Sequence, residues 1–269
     1  MIAEYLKRIN YKGSINLDSK TLIALHKAHV TAIPFDNIDI MSGDQINLSF
    51  DFLFRKIILR KRGGICYELN VLFYTLLLRF GFKVKIVSAI TKYGEIYGEE
   101  YDHMALTVEL ENKTWLVDVG LREALWYPID ISCQRWRSQG IRSYSVFRDL
   151  VGNYHFLKMV NNQVFEDYKF SLTARNPDQF AGMFHFHESN PQSPLNRYLL
   201  CSLETKEGRL VIKGNKIIVE AGGSISETTI ERDEPSYRSL KKYCLIFGFE
   251  DSVHEKLFNL VCNRSTIAA

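Results

Sequence analysis

The chain has 269 residues, 46% of them hydrophobic and 24% charged, with a formal net charge of +3, which is globular material long enough for one large domain or two to three small ones. Lysine and arginine are scattered rather than banded, so no electrostatic footprint for nucleic acid or a membrane surface is expected. The most apolar segment, residues 71–82, is broken by Arg79 and falls short of the roughly 20 apolar residues that cross a bilayer; the opening residues 1–7 lack the start of a secretory signal, and a cytoplasmic protein is expected.

Residues 1 to about 85 follow a helical rhythm, as in Leu22, Ile23, Leu25, His26 and His29, and again in Phe52, Leu53, Ile57 and Ile58. Residues 33–40 interrupt it, because Pro34 cannot sit inside a helix and the residues after it alternate apolar with polar, and an extended crossing is expected there. From Val84 onward, short alternating runs rich in Val, Ile, Tyr and Trp predict strands at 84–90, 104–110, 115–119 and 154–160. A hairpin is expected around Glu111-Asn112-Lys113 and another around Lys213-Gly214-Asn215-Lys216. Residues 234–247 regain a helical pattern with Leu240, Tyr243, Cys244 and Phe247 on one side, and a second short helix is expected over 251–260.

Five cysteines (Cys66, Cys133, Cys201, Cys244 and Cys262) are widely spaced with no Cys-x-x-Cys pair, which argues against a disulfide framework and against a metal site. Cys66 stands apart through its neighbours. It follows Gly63-Gly64-Ile65 and opens an apolar series at Leu69, Leu72, Phe73, Leu76, Leu77 and Phe80 that ends at Gly81, the pattern of a buried amphipathic helix with the cysteine at its start. A helix start favours a thiolate and offers unpaired N–H groups to an oxyanion. The alternative is that the two glycines only end the preceding helix and Cys66 fills a gap.

A reactive thiol wants an imidazole, and the imidazole a carboxylate. His26 and His29 fall on the first helical segment and His185 and His187 in a Phe-rich region, where structural roles are expected; His103 opens a strand after a polar loop. Asp118 interrupts the apolar run 115–119, where a carboxylate is costly to bury without a partner. Counting about the Glu111–Lys113 turn, His103 and Asp118 miss each other by three or four positions, roughly 10 to 13 Å along a strand, so a bulge or another loop register is required to join them.

The segments Arg62-Gly63-Gly64-Ile65-Cys66-Tyr67-Glu68-Leu69-Asn70, His103-Met104-Ala105-Leu106 and Val117-Asp118-Val119-Gly120, in this order, closely resemble the nucleophile, histidine and aspartate motifs of the arylamine N-acetyltransferases. Residues 33–39 resemble the N-terminal signature of that family, with Asp36 where glutamate is usual; residues 189–194 and the ending Phe247-Gly248-Phe249 resemble its last third. The resemblance implies an α+β fold: a helical domain over 1–85 carrying the nucleophile, a β-barrel domain over 86–190 and an α/β lid over 191–269. It further implies a Cys66, His103, Asp118 triad, acetyl-CoA as co-substrate, no metal, an aromatic amine or hydrazine as acceptor, and ping-pong kinetics through an acetyl-Cys66 thioester, as in xenobiotic metabolism.

Phe35, Leu121 and Leu195 are the expected substrate contacts, and Asp102 and Arg122 the expected coenzyme contacts. Three departures bear on substrate choice. Leu121-Arg122-Glu123 stands where many members have an aromatic residue and a further glycine, Leu195 where phenylalanine is frequent, and Asp102 where a small hydroxyl residue often precedes the histidine. Glu68 and Arg62 are expected to pair and pin the helix start. Rival readings are an amide synthase acting on a carrier-bound acyl chain, a thiol hydrolase or transglutaminase-like enzyme, and an inactive coenzyme-binding protein.

Overall fold

The computed structural model describes residues 1–263. Its first third is helical: α1 (Ile2–Arg8), α2 (Ser19–Ala32), the two-residue strand β1 (Phe35–Asp36), α3 (Ile38–Ser42), α4 (Phe50–Leu53) running into a π-helical turn (Phe54–Leu59), and α5 (Cys66–Phe80). Asp18 caps α2 by accepting from Thr21 N–H at 2.8 Å, and α5 stops where Gly81 takes the left-handed conformation, φ 91°, that glycine adopts without strain. The extended crossing ends at Asp36; residues 38–40, expected to continue it, fold instead into the start of α3.

A curled antiparallel sheet follows: β2 (Lys83–Tyr93), β3 (Ile96–Tyr97), β4 (His103–Leu110), β5 (Lys113–Val117), β6 (Ile129–Asp130), β7 (Arg137–Gln139), β8 (Arg142–Arg148), β9 (Tyr154–Val160) and β10 (Gln163–Arg175), in the order β6-β5-β4-β2-β10-β9-β8-β7 with β3 beside β2. Helix α6 (Ala181–Ser189) leads to a second sheet of β11 (Leu200–Glu204), β12 (Gly208–Lys213), β13 (Lys216–Ala221) and β14 (Ser224–Thr229), then α7 (Glu234–Phe247) and α8 (Asp251–Asn263). This is an α+β architecture of helices, an open half-barrel and a smaller α/β layer. Strand β1 joins the second sheet at β11, so the helical third is stitched into the last one. Asn37 completes the seam, its amide donating to Leu195 O at 2.8 Å and Tyr198 O at 2.9 Å and accepting from Leu200 N–H at 2.7 Å.

The main apolar core joins α2, α5 and the faces of β2, β4 and β5 that cover them, while separate clusters fill the half-barrel and the space under α7 and α8. Within the main core, α2 buries His26 and His29 completely. Burial pushes the His26 imidazole down to about 4 and that of His29 well below its usual value, so both are neutral in the fold, and among the described residues neither Nε2 finds a hydrogen-bond partner. The unfolded chain binds protons at these rings below about pH 6.5 and the folded chain does not, so their contribution to stability is complete above that pH and shrinks as pH falls toward 4. Glu204, raised by burial to about 7, acts in the opposite sense, and a difference measurement separates the two. The gap in unfolding free energy between wild type and His26→Gln is expected to shift against the wild type by about 3 kcal/mol between pH 6.5 and 4; a gap independent of pH in denaturant titrations refutes this.

Candidate active site

Cys66 is the first residue of α5, and the backbone around it is fixed by a buried ionic network. Lys56 Nζ lies 2.7 Å from Glu68 Oε1 and 2.8 Å from Asp39 Oδ2, Arg62 lies 2.7 Å from Asp39 Oδ1, and Glu68 Oε2 accepts from Ile65 N–H at 3.0 Å. Asp36 Oδ2 accepts from Gly63 N–H at 2.9 Å. Glu68 therefore pairs with Lys56 and not with Arg62, whose partners are Asp39 and Asp36. Lys56, on the π-helical turn, reaches the first turn of α5 at Glu68, while Arg62 reaches the segment after Pro34. Burial raises the Asp39 carboxyl, but Lys56 and Arg62 outweigh it and hold it down at about 2. The glycines permit the approach: a Cβ on Gly63 would lie 2.1 Å from Pro34 O.

His103 opens β4, and its Nε2–H donates to Asp118 Oδ2 at 2.7 Å, leaving Nδ1 for Cys66, which lines the same cavity. Burial disfavours the imidazolium, yet Asp118, and after it Cys66, outweigh it and raise His103 well above its ordinary value. The expected mismatch between His103 and Asp118 is smaller than counted. Glu111 and Asn112, both at positive φ (54° and 57°), make a two-residue turn in which Leu110 pairs with Lys113 and Leu106 with Val117. Extrapolating that register sets Asp118 opposite Ala105, two residues from His103 and on the same face, a diagonal that a long side chain spans.

Asp118 is completely buried and accepts four hydrogen bonds: from His103, from Tyr168 OH at 3.0 Å, from Asn70 Nδ2 at 3.0 Å and from Gly120 N–H at 2.9 Å. Burial alone would raise its carboxyl; His103 and these donors reverse the sign and keep it ionised. Asn70, one turn along α5 from Cys66, also donates to Met104 O at 2.7 Å and accepts from Val119 N–H at 3.1 Å. Gly120 packs so tightly that a Cβ there would stand 2.6 Å from Cys66 Cα.

Cys66 and His103 open onto a cavity of about 420 Å³ whose walls include Phe35, Leu121 and Leu195, all three expected substrate contacts, and Asp102 and Arg122. Asp102 does not fit its expected coenzyme role: its carboxylate meets His187 Nε2 at 2.9 Å and Tyr93 OH at 2.9 Å, and a bound anion repels phosphate. His187, read from sequence as structural, has both nitrogens engaged, with Ser193 Oγ 2.8 Å from Nδ1, and yet it lines the cavity. Sequence reasoning missed Asn70, which its i+4 spacing from Cys66 could have revealed, and also Tyr168, Lys158, Asp167 and Arg209, which reach the cavity only through strand pairing. Among the described residues, no helix is long and apolar enough to cross a membrane.

An N-acetyltransferase family model matches residues 18–247. Among curated proteins, the chain is 28% identical over 270 residues to an arylamine N-acetyltransferase, the pineal gland isozyme NAT-3 of Gallus gallus, spanning 90% of this chain and 92% of that one. It is 26% identical over 228 residues to arylamine N-acetyltransferase 1 of Homo sapiens, spanning 77% and 79%. Among solved structures, arylamine N-acetyltransferase from Mycobacterium marinum superposes with a TM-score of 0.87 at 22% identity, covering 98% of this chain and 99% of the other. That from Salmonella typhimurium gives 0.86 at 22% identity, covering 97% of each.

Proposed function

The chain belongs to the arylamine N-acetyltransferase family, and from that premise we propose that this acyltransferase moves an acetyl group from acetyl-CoA through Cys66 to an aromatic amine or hydrazine. The observation that carries the reading is that Cys66 and His103 line one cavity while His103 is hydrogen-bonded to the buried Asp118 behind it.

In the first half-reaction the Cys66 thiolate attacks the thioester carbonyl, and first-turn N–H groups of α5 hold the oxyanion. The carbon–sulfur bond to the coenzyme breaks, and the departing coenzyme thiolate takes a proton from the His103 imidazolium. In the second, a neutral amine attacks acetyl-Cys66 while His103, now neutral, removes a proton from the nitrogen. Cys66 leaves as thiolate beside a regenerated imidazolium, and Asp118 keeps the ring oriented in both halves. Arg122 and Lys213, which both line the cavity, are the side chains suited to the coenzyme's phosphates. A cytoplasmic location agrees with five free thiols.

Mass spectrometry of the intact protein mixed with acetyl-CoA tests the proposal. One acetyl group is expected on Cys66, lost on addition of an arylhydrazine. Absence of the adduct contradicts the reading, and an adduct formed only from a carrier-bound acyl chain reassigns the chain as an amide synthase.

A further inference from the structure

Strand β10 departs from regular alternation beside the catalytic dyad. Glu166 pairs with Leu157 and Tyr168 with Phe156, consecutive residues of β9, so Asp167 is the extra residue of a β-bulge. In a regular strand, neighbouring side chains point to opposite faces. Here Asp167 and Tyr168 both line the cavity that holds Cys66 and His103, and re-aiming a side chain is what a bulge beside an active site accomplishes.

Tyr168 is already occupied, with its hydroxyl on Asp118 and its ring 5.1 Å from that of His103. Asp167 is much less engaged. Its cation neighbour Lys158 lies 3.4 Å away but approaches Glu123 more closely, at 3.0 Å. Asp102, the cavity's other carboxylate near His103, differs in being met by His187 and Tyr93. Burial pushes the Asp167 carboxyl up by more than Lys158 and His103 bring it down, and Glu123 adds to the rise. A charge so placed gains from a further cation delivered into the cavity.

We propose that Asp167 is a specificity-determining residue that receives a second, cationic nitrogen of the acceptor, so that amines bearing a remote ammonium or amidinium group are preferred to neutral or anionic arylamines. This deepens the acetyl-transfer reading and depends on it. The reacting nitrogen stays neutral and attacks the thioester, while the remote nitrogen carries the charge.

The test compares three acceptors of one shape: 4-(aminomethyl)aniline, 4-methylaniline and 4-aminobenzoate. Acetylation of the ring amine is followed by chromatography, with acetyl-CoA and, separately, p-nitrophenyl acetate as donor. For the wild type, kcat/KM is expected to fall in that order. The ratio of the cationic to the neutral acceptor should drop about tenfold in Asp167→Asn and recover in Asp167→Glu. A wild-type ratio at or below one overturns the proposal, as does a ratio that Asp167→Asn leaves unchanged while both rates fall together, the mark of a structural role. If acetyl-CoA fails to acylate Cys66 while p-nitrophenyl acetate succeeds, the coenzyme assignment falls, and the acceptor ratio is still read from the second donor.

Discussion

Cys66→Ser is expected to lower acetyl transfer by at least about 10⁴-fold, below detection in a coenzyme-release assay, with no acetyl adduct on the intact protein. The site is arranged for a sulfur anion. His103 is raised well above its ordinary value, by Asp118 first and by Cys66 after it, so a positive ring is held beside the nucleophile. A serine hydroxyl is far too weak an acid to lend its proton in the resting enzyme, and proton removal would have to coincide with attack on a thioester. Serine is nearly isosteric, and at the N-terminus of α5 it is a good helix-start residue, so the melting temperature should change little. Residual transfer within tenfold of wild type would mean that the acetyl group does not pass through this side chain.

Asp118→Asn should have the second-largest effect, a loss of about 10³–10⁴-fold, and unlike Cys66→Ser it should also cost stability. The wild-type carboxylate accepts four hydrogen bonds. An amide offers one oxygen to donors that met two: an NH₂ in place of Oδ1 meets Asn70 Nδ2 and Gly120 N–H, which have no lone pair for it, and one in place of Oδ2 forces His103 into the other tautomer and reverses the Tyr168 hydroxyl, which costs on the order of 2–4 kcal/mol in so buried a place. The kinetic signature separates the causes. Without the carboxylate, His103 loses what holds it protonated against burial, and the acylation rate should rise with pH across a range where the wild type is flat. A pH profile parallel to the wild type, merely lower, would show that Asp118 acts only as a brace.

The nucleophile helix was legible because its signals are local: a glycine pair before Cys66, apolar residues three and four apart, and Gly81 at the end. Helix α7 was legible over its whole length for the same reason, between the Asp233 cap and Gly248. What failed was non-local. The His103–Asp118 register turned on two residues at positive φ in a turn, which shortened the connection by one position. The partner of Glu68 lies twelve residues away across a π-helical turn, and nothing in the spacing of Lys56 announces it. Strand β10 was not read at all, since Glu166-Asp167-Tyr168-Lys169 alternates no apolar face, and its bulge exists only in relation to β9. Asp102 was seen as a departure, but its partner His187 is 85 residues distant.

Asn70 carries a broader consequence. One amide side chain on the nucleophile's helix grips both the strand of the histidine, at Met104 O, and the segment of the aspartate, at Asp118 and Val119. The reacting groups thus ride on a single welded hub and cannot drift apart as substrates change. The opposite wall, carried by β12 and β13, is held instead through the ion pairs Arg209–Glu123 at 3.2 Å and Glu220–Arg142 at 2.7 Å, neither of which involves the three reacting residues. New acceptors can therefore be accommodated by altering that wall without retuning the chemistry, which gives the chain a fixed engine and an interchangeable mouth.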